Sequence, residues 1–373
     1  MNKETFCAYP FSTVFLGADG GIKPCCSARG TLGNINDEDI DKILGNKISR
    51  NLRETIVNGT WHSYCSQCKE LEELGARTER TGVLDQFDDF KDATADIFIL
   101  KKIDLRWSNT CNLSCNYCYP FFSSKWANIL GEQINENKKD AEEKIFMFLE
   151  KHKNTIEVIN LLGGEPLLQK QNKKLIKMFP DSNYYILSNL AVDITKNDIA
   201  QSLMKNTNAK WGISFETIGK KFEYVRHGGN WNRFTENLKL LSNDHSRQIN
   251  AHPLYCTYTA LNLVEFYDFV LGSKIFDGIY WCAIQNIHGL NITNMDKKFK
   301  ERAIKEIERV SQLFKGAAGV DHLLQIKQNL EDTIDVIPTI DGKKHFIDWS
   351  EELETKYLSD KNYSFKDLWP DLF

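Results

Sequence analysis

Between residues 97 and 314 the sequence alternates between short β-type runs and longer amphipathic helical runs, and this alternation restricts the fold. A strand that is followed by a helix and then another strand predicts a parallel sheet with right-handed crossovers. The expected strands are Ile97 to Trp107, Ile156 to Leu162, Tyr184 to Leu187, Lys210 to Phe215, Asn250 to Thr259 and Gly278 to Ile284. Six such units predict an α/β fold with a partial (β/α)6 TIM-type barrel, and an open doubly wound sheet is the alternative.

The chain has 373 residues, too many for a single hydrophobic core of ordinary size, so more than one domain is expected. Residues 1–80 are rich in cysteine and turn residues and predict a small iron-sulfur or metal domain, with two short helices between the cysteine groups. The charged residues 81–96 are expected to bridge to a barrel at 97–315. Residues 316–373 are expected to form a helical tail that packs on the barrel.

Composition and charge exclude several classes of protein. The formal charge is −4, from 47 Lys and Arg and 51 Asp and Glu, and the charges are scattered, so no nucleic-acid partner is expected. The N-terminal residues lack the apolar core of a signal peptide, and there is no apolar run of about 18 residues, so we expect a cytoplasmic protein without a membrane span. Because that compartment keeps thiols reduced, ten cysteines indicate metal or redox chemistry.

Three cysteines directly follow the first predicted barrel strand. Cys111, Cys115 and Cys118 have the spacing C-x3-C-x2-C. This places them at the carboxyl end of the strand, where the functional residues of β/α barrels lie. A four-iron cluster takes one cysteine per iron, so three cysteines leave one iron open to another ligand. The alternatives are a zinc site with a fourth ligand from elsewhere, or three cysteines buried in the core.

This loop resembles the signature of the radical S-adenosylmethionine (SAM) superfamily, including an aromatic residue, Tyr117, before the last cysteine. The resemblance implies a 4Fe-4S cluster on the three cysteines. The open iron of that cluster would bind the amino and carboxylate groups of SAM. The reduced cluster would then cleave SAM to a 5′-deoxyadenosyl radical.

Further strand ends carry residues that resemble this family. The sequence Gly163-Gly164-Glu165-Pro166 follows the second strand and resembles the motif that meets the methionine amino group of SAM, where glycine permits close backbone approach. Residues after the third and fourth strands resemble positions that contact ribose or methionine, although the family has Asp at the last of them; they are Ser188, Asn189, Ser214 and Glu216.

Three more residues are candidates for the site. Arg226 resembles an arginine that pairs with the SAM carboxylate, a geometry that a guanidinium suits, and a surface salt bridge is the alternative. Cys256 and Cys282 lie in the last two predicted strands, where a thiol could return a hydrogen atom to a substrate radical. A small buried apolar side chain is the alternative for both cysteines.

A second group of cysteines lies in residues 1–80: Cys7, Cys25, Cys26, Cys65 and Cys68. Four thiolates suit either a 4Fe-4S cluster or a zinc ion, and either would stabilise a domain with a small core. The Gly-x4-Cys from Gly20 to Cys25 and the Cys-x2-Cys at Cys65 resemble a SPASM or twitch domain. That resemblance implies an auxiliary 4Fe-4S cluster on four of the five cysteines, which fits the smaller twitch type. In most relatives this module follows the barrel, whereas here it precedes it.

The resemblance implies hydrogen abstraction from a substrate, which in families with such an auxiliary cluster is often a peptide or protein. It also implies an electron donor such as flavodoxin or ferredoxin. Dehydrogenation or epimerisation of a small sugar-like or cyclitol molecule is one alternative, and a non-catalytic iron-sulfur scaffold is another. Residues of the last two strands are expected to line the barrel, among them His252, Tyr255, Cys256, Tyr258, Trp281, Cys282 and Gln285.

Overall fold

A computed structural model describes residues 2–73, 77–244, 247–284, 287–358 and 363–373. These residues form eleven strands, which are β1 Thr13–Leu16, β2 Gly21–Lys23, β3 Gly33–Asn34, β4 Lys102–Leu105, β5 Val158–Leu161, β6 Asn183–Ser188, β7 Lys210–Ile213, β8 Gln248–Ala251, β9 Leu254–Tyr255, β10 Gly278–Ile279 and β11 Cys282–Ala283.

Sixteen α-helices are found in the same described residues. They are α1 Tyr9–Ser12, α2 Ile40–Gly45, α3 Lys47–Val57, α4 Ser66–Glu73, α5 Phe87–Phe90, α6 Ser124–Leu130, α7 Lys139–Lys151, α8 Gln171–Met178, α9 Asp198–Lys205, α10 Gly219–Val225, α11 Trp231–Ser242, α12 Leu263–Ser273, α13 Lys297–Leu313, α14 Val320–Asp332, α15 Gly342–Lys356 and α16 Phe365–Leu368. Short 3-10 helices occupy Ser63–Cys65, Thr81–Gln86, Pro166–Leu168 and Ile292–Asn294.

The chain divides into two compact units. The first comprises Met1–Thr110 and Ile134–Ile186, and the second comprises Cys111–Gln133 and Leu187–Phe373. In the first unit β1, β4, β5 and the start of β6 form a parallel sheet, and β2 and β3 extend it in antiparallel fashion beyond β1. In the second unit β7, β8 and β10 are parallel neighbours, and β9 pairs in parallel with β11.

Helix α13 is amphipathic and packs against α12 and α14. Its buried residues Phe299, Ala303, Ile307 and Val310 recur every three or four positions and so form one apolar stripe. Burial of each large apolar side chain contributes about 1.5–3 kcal/mol to folding. Asp296 caps the helix by accepting a hydrogen bond from Phe299 N at 2.8 Å.

The predicted α/β class and the six β/α units are confirmed in the described residues. Strands β4, β5, β6, β7, β8 and β10 occur in chain order, and each is followed by at least one helix. The fold is that of a partial TIM-type barrel with a cysteine-rich N-terminal region. The two predicted short helices of that region are also present, as α2 and α3.

Several strands are shorter than predicted. The segment from Asn250 to Thr259 is interrupted after β8 at Pro253, which has no N–H to donate to a neighbouring strand. The segment from Ile97 to Trp107 is regular only in β4. Its first part instead bonds to the N-terminal region, since Ile99 N donates to Phe11 O and Lys101 N donates to Ser12 O.

The structure contains one strand pairing that the sequence did not predict. Strand β1 lies in the cysteine-rich region, yet it runs parallel to β4 with Thr13 opposite Lys102 and Phe15 opposite Asp104. The cysteine-rich region therefore shares a sheet with the first barrel strand.

Within the described residues, no helix combines the length and the apolar character needed to cross a bilayer.

Candidate functional site

The three-cysteine loop opens the second unit, and helix α6 holds its first half. Cys111 N donates a hydrogen bond to Ser124 Oγ at 3.0 Å. Trp126 Nε1 donates to Cys115 O at 2.9 Å, and the Trp126 side chain is buried. The backbone of two cysteines is thus fixed by the first turn of the helix that follows them.

The second half of the loop is held by two other segments of the same unit. Ser114 N donates to His227 O at 2.9 Å, and Asn116 N donates to Val225 O at 2.8 Å. Trp349 on α15 donates from Nε1 to Asn116 O at 2.9 Å. The C-terminal helices therefore contribute a direct contact to the cysteine loop, which the sequence did not predict.

The three thiols lie within electrostatic reach of one another. Cys115 is buried, and Cys111 and Cys118 are half-buried. Burial raises the pKa of the Cys118 thiol, and the charges of Cys115 and Cys111 raise it further. Iron ligation relieves this repulsion because a metal-bound thiol is deprotonated and its charge is shared with the metal. The donor set fits three irons of a 4Fe-4S cluster, with one iron left open.

A buried ion pair stands beside this loop. Arg226 and Glu216 make two hydrogen bonds, from Nε to Oε1 at 3.1 Å and from Nη2 to Oε2 at 2.7 Å. Their side chains are only 5% and 0% exposed, so the expected alternative of a surface salt bridge for Arg226 is wrong. Although burial alone lowers the pKa of Arg226, the Glu216 carboxylate and nearby groups raise it, and the guanidinium remains charged.

Tyr117 connects the ion pair to the cysteine loop. Its hydroxyl donates to Glu216 Oε2 at 3.4 Å, and the Arg226 guanidinium carbon lies 5.5 Å from the centre of its ring. The charge of Arg226 also lowers the pKa of the Cys115 thiol, against the larger effect of burial. The structure therefore brings together four residues that the sequence singled out separately.

The end of β6 provides another side chain near the first cysteine. Asn189 Nδ2 lies 3.8 Å from Cys111 Sγ and donates to Asn112 Oδ1 at 3.0 Å. Ser188 accepts two hydrogen bonds, from Leu190 N to its Oγ at 2.9 Å and from Ser214 N to its carbonyl oxygen at 2.9 Å. These contacts show Ser188 as a buried turn residue and place Asn189 beside the cluster loop.

The turn after β6 depends on a residue that the sequence analysis missed. Leu190 has a φ of +52°, which a side chain other than glycine rarely adopts. Asn237 on α11 stabilises this turn, because its Nδ2 donates to Leu190 O at 2.9 Å and to Val192 O at 2.5 Å. Asn237 lies 48 residues further along the chain than Asn189, so no local motif could have indicated it.

The Gly-Gly-Glu motif lies in the first unit and packs against the end of the first barrel strand. Gly163 has a φ of +128°, and a Cβ on Gly164 would overlap Asn109 O and Thr110 O. Glu165 N donates to Thr110 O at 2.8 Å, and the Glu165 side chain is fully buried. Only glycine permits this close backbone approach.

Gln169 fixes the same turn, and the sequence analysis missed it as well. Trp107 N donates to Gln169 Oε1 at 2.9 Å. Gln169 Nε2 donates to Leu162 O at 3.1 Å and to Ser108 O at 3.3 Å. A single amide side chain thus joins the ends of β4 and β5. Its position three residues after Pro166 gave no sign of burial.

Four of the five N-terminal cysteines line one cavity in the first unit, the auxiliary cavity. These are Cys7, Cys25, Cys65 and Cys68. Cys7 precedes α1, Cys25 follows β2, and the pair Cys65 and Cys68 lies around the start of α4. Cys26 does not line the cavity, and its side chain is exposed. The structure thus separates two neighbouring cysteines that the sequence could not distinguish.

The positively charged side chain of Arg80 also lines the cavity. Burial raises the pKa of the Cys7 thiol, the charges of Cys65 and Cys68 raise it further, and Arg80 lowers it. Arg80 lines the cavity, donates to Phe6 O at 3.0 Å and pairs with Glu72. Four thiolates around a cluster carry net negative charge, which a neighbouring guanidinium offsets. Arg80 is the last residue of the segment 1–80 that the sequence analysis assigned to the cysteine-rich domain.

No three of the described His, Cys, Asp and Glu side chains are grouped so that they could hold one metal ion. That observation concerns a single ion. A 4Fe-4S cluster takes its four thiolates on four separate irons, and a cavity bordered by four cysteines fits that donor set.

Two protein families match the chain. Residues 105–270 match the model of the radical SAM superfamily, and residues 7–69 match the SPASM model, an iron-sulfur cluster-binding domain. The chain carries a radical SAM domain, preceded by a SPASM domain. The predicted cofactors are therefore confirmed: a SAM-binding 4Fe-4S cluster, SAM itself, and an auxiliary iron-sulfur cluster. The zinc alternatives are set aside.

Several solved structures show low similarity to the chain. They include anSMEcpe with bound AdoMet and Kp18Cys peptide (14% identity, 58% of this chain and 62% of that chain, TM-score 0.42). They also include Streptococcus suis SuiB bound to precursor peptide SuiA (14%, 76% and 63%, 0.43) and TYW1 with a lysine-pyruvate adduct (14%, 56% and 70%, 0.36). The chain thus spans about three fifths of the length of anSMEcpe and SuiB. No curated protein matches the sequence significantly.

The predicted substrate-facing residues of the radical SAM domain are dispersed. Cys256 is fully buried after β9, and burial raises the pKa of its thiol to about 12. Cys282 is exposed on β11. A hydrogen-donor role for either stays a prediction. Tyr255, Tyr258 and Trp281 are buried, His252 is half-buried, and Gln285 lies outside the described residues.

The cavity predicts different effects for two neighbouring cysteines of the SPASM domain. Cys25→Ala is expected to lose the auxiliary cluster, because one of its four ligands is removed. If two 4Fe-4S clusters are present, this loss is about half of the iron. Cys26→Ala is expected to retain all of it. Iron and sulfide per chain after anaerobic reconstitution measure both. Equal iron loss in the two variants would contradict the assignment.

Proposed function

We propose that the chain is a radical SAM enzyme that abstracts a hydrogen atom from a peptide or protein substrate. The observation that carries the proposal is the fixed loop of Cys111, Cys115 and Cys118, three thiols for four irons within a radical SAM domain. When bound, the reduced cluster supplies reductive cleavage of SAM to a 5′-deoxyadenosyl radical. The protein's own residues position the cofactor and the substrate and exclude water.

The residues of the loop and strand ends have proposed roles toward SAM. Gly163, Gly164 and Glu165 are proposed to meet the methionine amino group of SAM. Asn189 and Ser214 offer polar contacts at the ends of β6 and β7. Arg226 supplies positive charge beside Cys115, and Glu216 orients it through two hydrogen bonds.

A peptide or protein substrate is proposed because a SPASM domain accompanies the radical SAM domain. In the families that the sequence resembles, auxiliary clusters of this type often occur with peptide substrates. An electron donor of the flavodoxin or ferredoxin type is proposed to reduce the clusters.

The enzymatic proposal is tested by SAM cleavage. The purified chain, reconstituted anaerobically with iron and sulfide, is expected to form 5′-deoxyadenosine from SAM when dithionite is added. Chromatography with mass detection measures the product. If a fully iron-loaded protein formed no product, the chain would instead be a non-catalytic iron-sulfur scaffold.

The substrate class is tested by deuterium transfer. Cells of the encoding organism are grown in deuterated medium, and their peptide fraction and small-molecule fraction are separated. We expect 5′-deoxyadenosine to gain deuterium only with the peptide fraction, since abortive cleavage takes hydrogen from elsewhere. Deuterium transferred only from the small-molecule fraction would favour the sugar-like or cyclitol alternative.

A further inference from the structure

One strand of the first unit has charged side chains where a core strand usually has apolar ones. Lys102 and Asp104 occupy alternate positions of β4, and Arg106 directly follows the strand. A period of two places these three side chains on one face of the sheet. The opposite face carries Ile103 and Leu105, which are completely buried. The sheet therefore has one apolar face and one charged face at β4.

Arg106 differs from its charged neighbours because two donors of its guanidinium have no hydrogen-bond partner in the part of the chain that the structure describes. Its Nε and Nη1 atoms are buried and unpaired. Its guanidinium carbon lies 4.7 Å from the ring centre of Phe15, which holds it in place. Buried donors without acceptors are costly, and native proteins usually supply a ligand, an ion or water to them.

The nearby carboxylates already have partners. Asp104 Oδ1 accepts a hydrogen bond from Asn160 Nδ2 at 2.7 Å and lies 3.8 Å from Lys102 Nζ. Glu79 Oε2 accepts a hydrogen bond from the Tyr9 hydroxyl at 3.1 Å. Asp104 attracts the Arg106 guanidinium electrostatically but accepts no hydrogen bond from its Nε or Nη1, so these two donors remain available to another acceptor.

This charged face adjoins the auxiliary cavity. Tyr9 and Glu79 both line that cavity, and Lys102 Nζ donates to the Tyr9 hydroxyl at 3.3 Å. Cys26 follows the cavity residue Cys25 in the sequence. Its exposed thiol lies within electrostatic reach of Arg106. A ligand on Arg106 would therefore be close to the auxiliary cluster site.

We infer that Arg106, assisted by Lys102, forms a subsite for a carboxylate group of the substrate, an inference that rests on the proposed function. A guanidinium presents parallel donors that match a carboxylate, and the second cation increases the attraction. The substrate is then a peptide that presents an acidic side chain or its C-terminal carboxylate to this face. The carboxylate of SAM has the same chemistry, and the experiment separates the two sources.

Cys26 serves as a reporter of this subsite. Iodoacetate carries a carboxylate and iodoacetamide does not, so the ratio of their rates at Cys26 measures attraction of the anion. In the reconstituted holoenzyme, Arg106→Gln is expected to lower this ratio about tenfold, the effect of losing one charge-assisted hydrogen bond of about 1.4 kcal/mol. Arg106→Lys keeps the charge without the fork and is expected to give an intermediate ratio. Peptide mass spectrometry measures the rates, and Cys26→Ser identifies the labelled site.

Controls isolate the effect of the guanidinium. Arg50→Gln removes the same charge from an exposed position of the first unit and is expected to leave the ratio unchanged. Exposed Cys282 is an internal reference whose ratio stays constant in all variants. An equal ratio at Cys26 in the native protein and Arg106→Gln overturns the proposal.

Two further arms need no variant. In the native holoenzyme, propionate is expected to slow iodoacetate labelling of Cys26 at concentrations where propionamide does not, and equal effects overturn the subsite. With saturating SAM the preference for iodoacetate is expected to persist; its loss would assign the subsite to SAM and overturn the substrate assignment. Because labelling needs no reductant or turnover, its result is independent of the 5′-deoxyadenosine assay.

Discussion

Replacing Cys111, Cys115 and Cys118 together with alanine is expected to abolish 5′-deoxyadenosine formation and to remove about four of about eight iron atoms per chain. The three thiolates are the only protein ligands expected for the SAM-binding cluster, and without the cluster SAM has neither a binding iron nor a source of electrons. The loop backbone is held by Ser124, Trp126 and Trp349, so the fold should persist. Iron analysis, product detection and circular dichroism measure the three expectations.

The reciprocal variant is the matched control. Cys65→Ala with Cys68→Ala is expected to remove the other half of the iron, because both residues line the auxiliary cavity of the first unit. Loss of all iron in the Cys111, Cys115 and Cys118 variant would show that the N-terminal cysteines hold no cluster of their own. Retention of all iron in that variant would refute the assignment of the three-cysteine loop.

The sequence predicted those parts of the site whose residues lie close together in the chain. The spacing of Cys111, Cys115 and Cys118 and the turn at Gly163 and Gly164 are each contained in a few residues. Cluster ligation and close backbone approach restrict the residue types at those positions. The alternation of strand and helix likewise predicted six β/α units, because its period is visible within each segment.

Features that join distant segments could not be predicted in this way. The pairing of β1 with β4 links residues about 90 positions apart, and Trp349 reaches Asn116 over 233 positions. Neither contact leaves a local pattern. Cys25 and Cys26 are equivalent in sequence, and only the surrounding fold turns one into the cavity.

The segment from Lys102 to Arg106 contains a further sequence signal. Charges at its alternate positions predict a polar face in addition to a strand. The sequence around Arg226 does not indicate its partner. Its partner Glu216 is ten positions away in the loop between β7 and α10, and burial of the pair depends on tertiary packing.

Glu216→Gln is expected to destabilise the reconstituted protein by about 3–5 kcal/mol, because it leaves the buried charge of Arg226 without its carboxylate. The hydroxyl of Tyr117 loses its charged acceptor in the same variant. The shift of the urea midpoint at unchanged slope measures the loss of stability. Glu236→Gln makes the same chemical change at an exposed position of α11 and is expected to alter stability by no more than about 0.5 kcal/mol.

The double variant Glu216→Gln with Arg226→Met distinguishes an ion pair from two independently important residues. Removing both charges leaves no uncompensated charge, so the double variant is expected to be more stable than Glu216→Gln alone. Additive losses would mean that the two side chains act separately. If Arg226 also supplies charge to the cofactor, the double variant should regain stability without regaining SAM binding, which equilibrium dialysis with labelled SAM measures. Recovery of both would reduce Arg226 to a structural residue, because its charge would then serve only to balance Glu216.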